Sequence, residues 1–110
     1  MSKVIYIASP YSHEDKTIEH ERYETVAKIT AKLTKEGVIA FSPITYGHTL
    51  LRYEDLPAEY EFWETFCLSF LKRSNEFHVY MMPGWDKSKG IANETKYAIE
   101  NRIPVVYKDV

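Results

Sequence analysis

Val4-Ile5-Tyr6-Ile7-Ala8-Ser9-Pro10-Tyr11-Ser12 is an almost continuous apolar run that stops at a turn. A strand with one wet face alternates apolar and polar residues. A run without alternation is buried on both faces, and such strands belong mainly to parallel sheets. Parallel neighbours need long crossovers, usually helical, and the chain supplies them. Residues 17–36 carry Val26, Ile29 and Leu33 on one helical stripe, extended by Ile18 and Arg22, and Gly37 ends the helix. Residues 38–42 read as a second strand stopped by Pro43, and residues 45–57 as a long loop of the kind that often carries function. A second helix is predicted over residues 58–73, with Phe62, Phe66 and Phe70 in a row flanked by Trp63 and Leu71, and Cys67 adjacent. That row reads as core or as a subunit interface. A third strand over residues 76–82 closes on Pro83-Gly84. A third helix over residues 91–101 is expected to turn Ala92, Thr95, Ala98 and Ile99 inward, and residues 104–107 form the last strand.

The order β-α-β-α-β-α-β predicts an α/β fold, a three-layer Rossmann/flavodoxin-like sandwich of about four parallel strands with helices on both faces. One domain over residues 1–110 is expected, with no repeat, low-complexity tract or linker. A 45% hydrophobic and 27% charged composition is that of a globular chain rather than a disordered one. Net charge of −2 gives no electrostatic drive toward a nucleic acid polymer or a membrane. Cys67 is the sole cysteine, so no intramolecular disulfide forms, which fits a reducing compartment. The opening apolar run is short for a signal peptide, and no stretch approaches the roughly 20 apolar residues of a membrane span. The expected location is the cytoplasm, of a cell or of a phage-infected host.

In open parallel sheets, ligands sit beyond the carboxyl ends of the strands. Three loops gather there: residues 9–15, 42–48 and 83–90. The most informative is Gly84-Trp85-Asp86-Lys87-Ser88-Lys89-Gly90-Ile91-Ala92-Asn93-Glu94. It sets a turn, a hydroxyl, a glycine and a carboxylate where a strand passes into a helix. Backbone N–H groups and the helix dipole converge at such a junction, which suits a phosphorylated or sugar-bearing small molecule. Glu94 falls about one turn into the helix. It either complements the dipole or acts as a nucleophile at a sugar's anomeric carbon, where a carboxylate stabilises an oxocarbenium-like transition state. Asp86 is a candidate general acid or base, or a turn cap. Ser88 caps the helix or binds phosphate.

On the first loop, Ser9 and Tyr11 offer hydroxyls beside a closely approachable backbone. Tyr6 is either core or a buried phenol that pairs with a neighbouring carboxylate. His48 contacts a base or phosphate, or is structural. Trp85 and Trp63 are candidate stacking partners for a base, with core packing favoured for Trp63. His13-Glu14-Asp15 and His20-Glu21 lack the spacing of a zinc helix motif and read as a solvated helix start. No metal and no cofactor are expected, and neither a Walker loop, a Gly-x-Gly-x-x-Gly fingerprint nor a Ser-His-Asp pattern is found.

Tyr6-Ile7-Ala8-Ser9-Pro10-Tyr11 at a strand end, with Ser88-Lys89-Gly90-Ile91-Ala92-Asn93-Glu94 followed by Tyr97-Ala98, resembles the nucleoside 2-deoxyribosyltransferase superfamily. That superfamily includes the deoxynucleoside monophosphate N-glycosidases. The Ser-Pro-Tyr-Ser start and Pro-Gly-Trp turn look like a branch found in phages and bacteria. The resemblance covers nearly the full length. It implies cleavage or transfer of the N-glycosidic bond of a nucleoside or nucleoside 5′-monophosphate. Glu94 then matches the nucleophile that attacks C1′ and displaces the base, and Tyr6 the tyrosine that orients it. Asp86 stands near the acidic residue that handles the base. Ser88 and Gly90 look like the phosphate- or sugar-binding turn, with Ser9 and Tyr11 on the facing loop. The resemblance also implies a homo-oligomer, a dimer or higher, whose subunits share sites. The chain departs from the family pattern at Ser9-Pro10-Tyr11-Ser12, where the transferases carry a small-residue or Gly-Pro-Phe-Phe-type turn. It departs again at Asn75, where many relatives carry aspartate, and Val110 follows closely on the last strand. The alternative is a non-catalytic nucleotide-binding or sensing module on the same fold. A third reading is an assembly protein whose aromatic second helix is an interface.

Overall fold

In the computed structural model, which describes residues 2–110, the opening run forms β1 (Val4–Ala8), an interior strand of a four-stranded sheet. The other strands are β2 (Ile39–Phe41), β3 (Glu76–Tyr80) and β4 (Val105–Lys108), in the spatial order β2-β1-β3-β4. Every pairing is parallel, and Tyr6 lies level with Phe41 on one side and Phe77 on the other. Asn75 anchors this register: its N–H donates to the Val4 carbonyl at 2.8 Å, and its Oδ1 accepts from the Val4 N–H at 2.7 Å.

Alternation along β1 and β3 divides the interior into two cores. Tyr6, Ala8, Phe77 and Val79 pack with Cys67 and Leu71 of α3 (Tyr60–Lys72) and with Ile91 and Ala98 of α4 (Lys89–Glu100). Ile7 and Tyr80, on the other face, meet Val26, Ile29 and Leu33 of α1 (Lys16–Lys35) and Ile44 of α2 (Pro43–Leu50). The result is the expected three-layer α/β sandwich, with four α-helices among the described residues rather than three.

The extra helix, α2, replaces the first half of the loop expected over residues 45–57. Ser42 is its N-cap, accepting from Thr45 N–H at 3.2 Å, and Pro43 stands in its first turn, where a missing N–H has no cost. The proline that ends β2 therefore starts a helix. Only residues 51–59 of that connection stay irregular.

Two predicted faces also rotate. In α4 the inward row is Ile91, Glu94 and Ala98, while Ala92 is exposed and Ile99 is 65% exposed. The helix begins at Lys89, and a carboxylate holds the central inward place. In α3 the inward residues are Cys67 and Leu71. Phe62 and Phe70 are 53% and 42% exposed, so of the aromatic row only Phe66 packs against the core. The row continues into a surface aromatic cluster, with Phe70 stacked on Phe41 at 4.3 Å and Phe66 on Tyr46 at 5.2 Å. Among the described residues, no helix is long and apolar enough to cross a membrane.

The chain runs outward from β1 to β2 on one side, then returns to place β3 on the other. The strand order therefore reverses between β1 and β3. Their carboxyl ends diverge into loops that leave a crevice, the place where open α/β sheets bind ligands.

Candidate active site

A cavity of about 620 Å³ occupies that crevice, within the usual ~300–1,000 Å³ of small-molecule sites. Ser9 and Tyr11 reach it from the end of β1, His48 from α2, Tyr60 from the start of α3, and Ser88, Gly90 and Glu94 from the start of α4.

Glu94 owes its place to the cap. Ser88 Oγ accepts from the Ile91 N–H at 3.2 Å and fixes the first turn of α4, so that Glu94 falls on the inward row. The side chain is buried, with Glu94 only 5% exposed, beside Tyr6, Tyr60 and Cys67. Burial raises its carboxyl to about 7, while the two hydroxyls and the thiol pull partly the other way. At neutral pH it is balanced between its protonated and ionised forms, a perturbation of the kind that clusters at functional sites.

Tyr6 stands behind Glu94 on β1, fully buried. Its hydroxyl is close enough to Glu94 and Cys67 to couple to both, yet among the described residues it makes no aligned hydrogen bond. Burial first, and the Glu94 charge second, hold its proton well above the ordinary tyrosine range. A buried hydroxyl without an aligned partner costs about 1–3 kcal/mol, so such groups call for a functional explanation. Ser9 Oγ is a second such hydroxyl, and Ser9 lines the cavity. Burial likewise pushes the Cys67 thiol up to about 12, so Cys67 stays protonated.

The first loop is held by α1. Arg22 donates to the Tyr11 and Ser12 carbonyls at 3.3 and 2.9 Å, and Glu19 accepts from the His13 N–H at 2.9 Å. Gly84, at φ +93°, lets the third loop close on the same guanidinium: a Cβ there would collide with Arg22 Nη2. Gly37 has a similar φ of +87° with nothing nearby. Gly84→Ala is therefore expected to cost about 1–3 kcal/mol in chemical denaturation. Gly37→Ala is expected to cost less, because it carries the backbone strain without the collision. Equal costs would show that the Arg22 approach does not matter.

His48 accepts or donates through Nδ1 to the Tyr11 hydroxyl at 2.9 Å, and its ring stacks on Tyr23 at 3.8 Å. Burial lowers its pKa, which favours the neutral imidazole at neutral pH. Gly90 admits the Tyr60 ring, since a Cβ there would come within 2.8 Å of Tyr60 Cδ1.

Two expected site residues lie elsewhere. Asp86 and Trp85 sit on a tight 3-10 turn (Trp85–Lys87) and do not line the cavity. The turn carries Trp85 against Tyr107 of β4, with ring centroids 5.7 Å apart, and leaves Asp86 exposed. Lys87 and Ser88 face the cavity instead. Trp63 does line the cavity, packed beside Gly47 and donating Nε1–H to the Pro57 carbonyl at 2.8 Å. His13 and Asp15 build the start of α1: Asp15 N–H donates to His13 Nδ1 at 2.9 Å, and Asp15 Oδ1 caps Thr17 N–H at 2.8 Å. No cluster placed to hold a metal is found among the described residues.

Sequence reasoning missed Tyr60 and gave Cys67 no place in the site. Tyr60, Glu64, Cys67 and Leu71 recur at helical spacing and form the face of α3 nearer the site. The louder Phe62-Phe66-Phe70 row hid that stripe.

This architecture is shared with a solved 2-deoxyribosyltransferase from the psychrotolerant bacterium Bacillus psychrosaccharolyticus. The TM-score is 0.64 at 24% identity, over 96% of this chain and 72% of that one. No curated protein matches the chain. A single family profile, described as "Domain of unknown function (DUF1937)", matches residues 3–109, the whole sheet and every helix around the cavity. The chain belongs to that family, built on the fold seen in the deoxyribosyltransferase.

Proposed function

We propose that the protein cleaves or transfers the N-glycosidic bond of a nucleoside or nucleoside 5′-monophosphate, with Glu94 as nucleophile. The observation that carries this reading is a buried carboxylate in a cavity at the sheet's switch point, flanked by phenols and balanced near neutrality. A Glu94 oxygen attacks C1′ as the C1′–N bond breaks. The base leaves with the bonding pair and takes up one proton, and the sugar is held as a glycosyl ester. Attack by water then frees Glu94 and completes a hydrolysis; attack by a second base completes a transfer. Tyr6 orients the carboxylate. Ser9, Ser88, Gly90 and the first turn of α4 hold the sugar or its phosphate, with the Lys87 cation at the same wall. Tyr11 and His48 form the opposing polar wall. The exposed aromatic cluster of α3 suits packing of further copies of the chain into a homo-oligomer.

The exposed position of Asp86 favours one second reading, a nucleotide-binding or sensing module, because the expected base-handling acid does not reach the cavity. Incubation with a panel of nucleosides and their monophosphates separates the two. Free base is expected from at least one substrate. Tight binding with no base released across the panel would establish the sensing module. The rate itself carries a second signature, because only ionised Glu94 attacks. The kcat/KM for base release is expected to climb about tenfold per pH unit and to level off near pH 7. A flat profile through that range would remove Glu94 from the rate.

A further inference from the structure

We propose that Tyr60, held by Glu64 through Asn93, is a second positioning tyrosine that orients the Glu94 carboxylate from the side opposite the sheet. The inference rests on the reading of Glu94 as the working carboxylate.

Three observations carry it. First, Asn93 Nδ2 donates to Glu64 Oε2 at 2.8 Å and to the Tyr60 hydroxyl oxygen at 3.3 Å, tying α4 to α3. The amide orientation follows from chemistry: a carboxylate oxygen accepts, so the NH2 group of Asn93 faces Glu64. Second, the Tyr60 oxygen already accepts from Asn93, so its own proton is free for another acceptor. Glu64 is engaged by Asn93, while Tyr60 and Glu94 line the same cavity, Glu94 directly following the Asn93 that holds the hydroxyl. Third, the ring has one seat. It lies on Gly90 so closely that a Cβ would meet Tyr60 Cδ1, Cε1 and Cγ at 2.8, 3.1 and 3.3 Å. The glycine at the start of α4 therefore admits the tyrosine, and the next turn of the same helix supplies both the anchor and the group to be oriented.

Glu94 thus has one phenol from β1 and one from α3. The titratable groups that act on it are Tyr6 on β1 and Tyr60 and Cys67 on α3; Glu64 is bound to the neighbouring Asn93, and the Lys89 ammonium on its own helix is engaged by Glu61. Of these, Tyr6, Tyr60 and Cys67 pull the carboxyl down against the effect of burial.

The test is a side-chain carboxyl titration by carbon-13 NMR without substrate, with the Glu94 resonance identified by its loss in Glu94→Gln. Tyr60→Phe keeps the ring on Gly90 and removes one donor, so the midpoint is expected to move up from about 7 by about one pH unit. Asn93→Ala leaves the Tyr60 hydroxyl but frees it to turn away, and a smaller upward shift is expected. In kinetics, Tyr60→Phe should lower kcat about tenfold with a lesser effect on KM. An unmoved midpoint in folded Tyr60→Phe overturns the proposal, as does an unmoved midpoint in Asn93→Ala. If the midpoints move while the wild type releases no base from any substrate, the glycosidic reading fails and the positioning of Glu94 by Tyr60 stands.

Discussion

Glu94→Gln is expected to lower base release at least about a thousandfold while making the folded protein more stable at and above neutral pH. The loss follows from chemistry: an amide oxygen neither attacks C1′ usefully nor leaves in the second step. The gain follows from linkage. The Glu94 carboxyl rises from 4.5 to about 7 on folding. Between those values the folded protein keeps a proton that the unfolded chain has lost, so stability falls as pH rises across that window and levels off above it. At about 1.4 kcal/mol per unit, the accumulated penalty is on the order of 3 kcal/mol. A neutral amide of the same shape does not titrate, and the hydroxyls and thiol around it can accept as well as donate. Denaturation curves recorded across pH should show the wild type losing stability, relative to the variant, as pH rises from about 4.5 to about 7. A variant that is both inactive and less stable at every pH would mark Glu94 as structural.

Tyr6→Phe is expected to separate activity from stability in the same direction. The hydroxyl is fully buried and has no aligned partner, so its removal should raise stability by about 1 kcal/mol or more. The ring packing on Phe77 and Phe41, with centroids 5.7 and 6.2 Å away, is unaffected by the change. Activity should fall about 10–100-fold, mostly in kcat, because an oriented carboxylate becomes a freer one. Removing a hydroxyl that pulls the Glu94 carboxyl down against burial also raises its pKa, so the rising limb of the pH profile should move to higher pH. In the double variant with Glu94→Gln, the Tyr6 change should cost little more, since the two act as one unit. Full activity with lower stability would return Tyr6 to the core.

The parts of this site that were legible in the sequence are those with a strong local signature. Val4–Ala8 has no wet face and so declares an interior parallel strand. Ser88 through Glu94 declares a capped helix start with a carboxylate one turn in. The parts that were hidden are those where one signal covered another. Pro43 reads as a strand stop, although with Ser42 before it the same residue opens α2. Ile99 looks inward by hydrophobicity, yet the inward phase of α4 belongs to Glu94, a polar residue that no apolar pattern selects. Asp86 belongs to the third loop by sequence, and the family resemblance sets it near an acidic residue that handles the base. A three-residue 3-10 turn after a left-handed glycine was enough to keep it out of the lining. Tyr60 lies far from Glu94 in sequence, and only the docking of α3 on α4 shows that they meet.

The central claim is tested most directly by trapping the glycosyl ester. A substrate with a readily leaving base and a 2′-fluorine, which slows the second step, is mixed with the protein, quenched in acid and digested with trypsin. Cleavage after Lys89 and Lys96 gives the peptide of residues 90–96, in which Glu94 is the only acidic side chain. One added sugar on Glu94 in that peptide, appearing in step with the released base and absent from Glu94→Gln, is the predicted result. Base released in stoichiometric amount with the sugar carried by any other peptide would contradict the assignment of Glu94 as nucleophile.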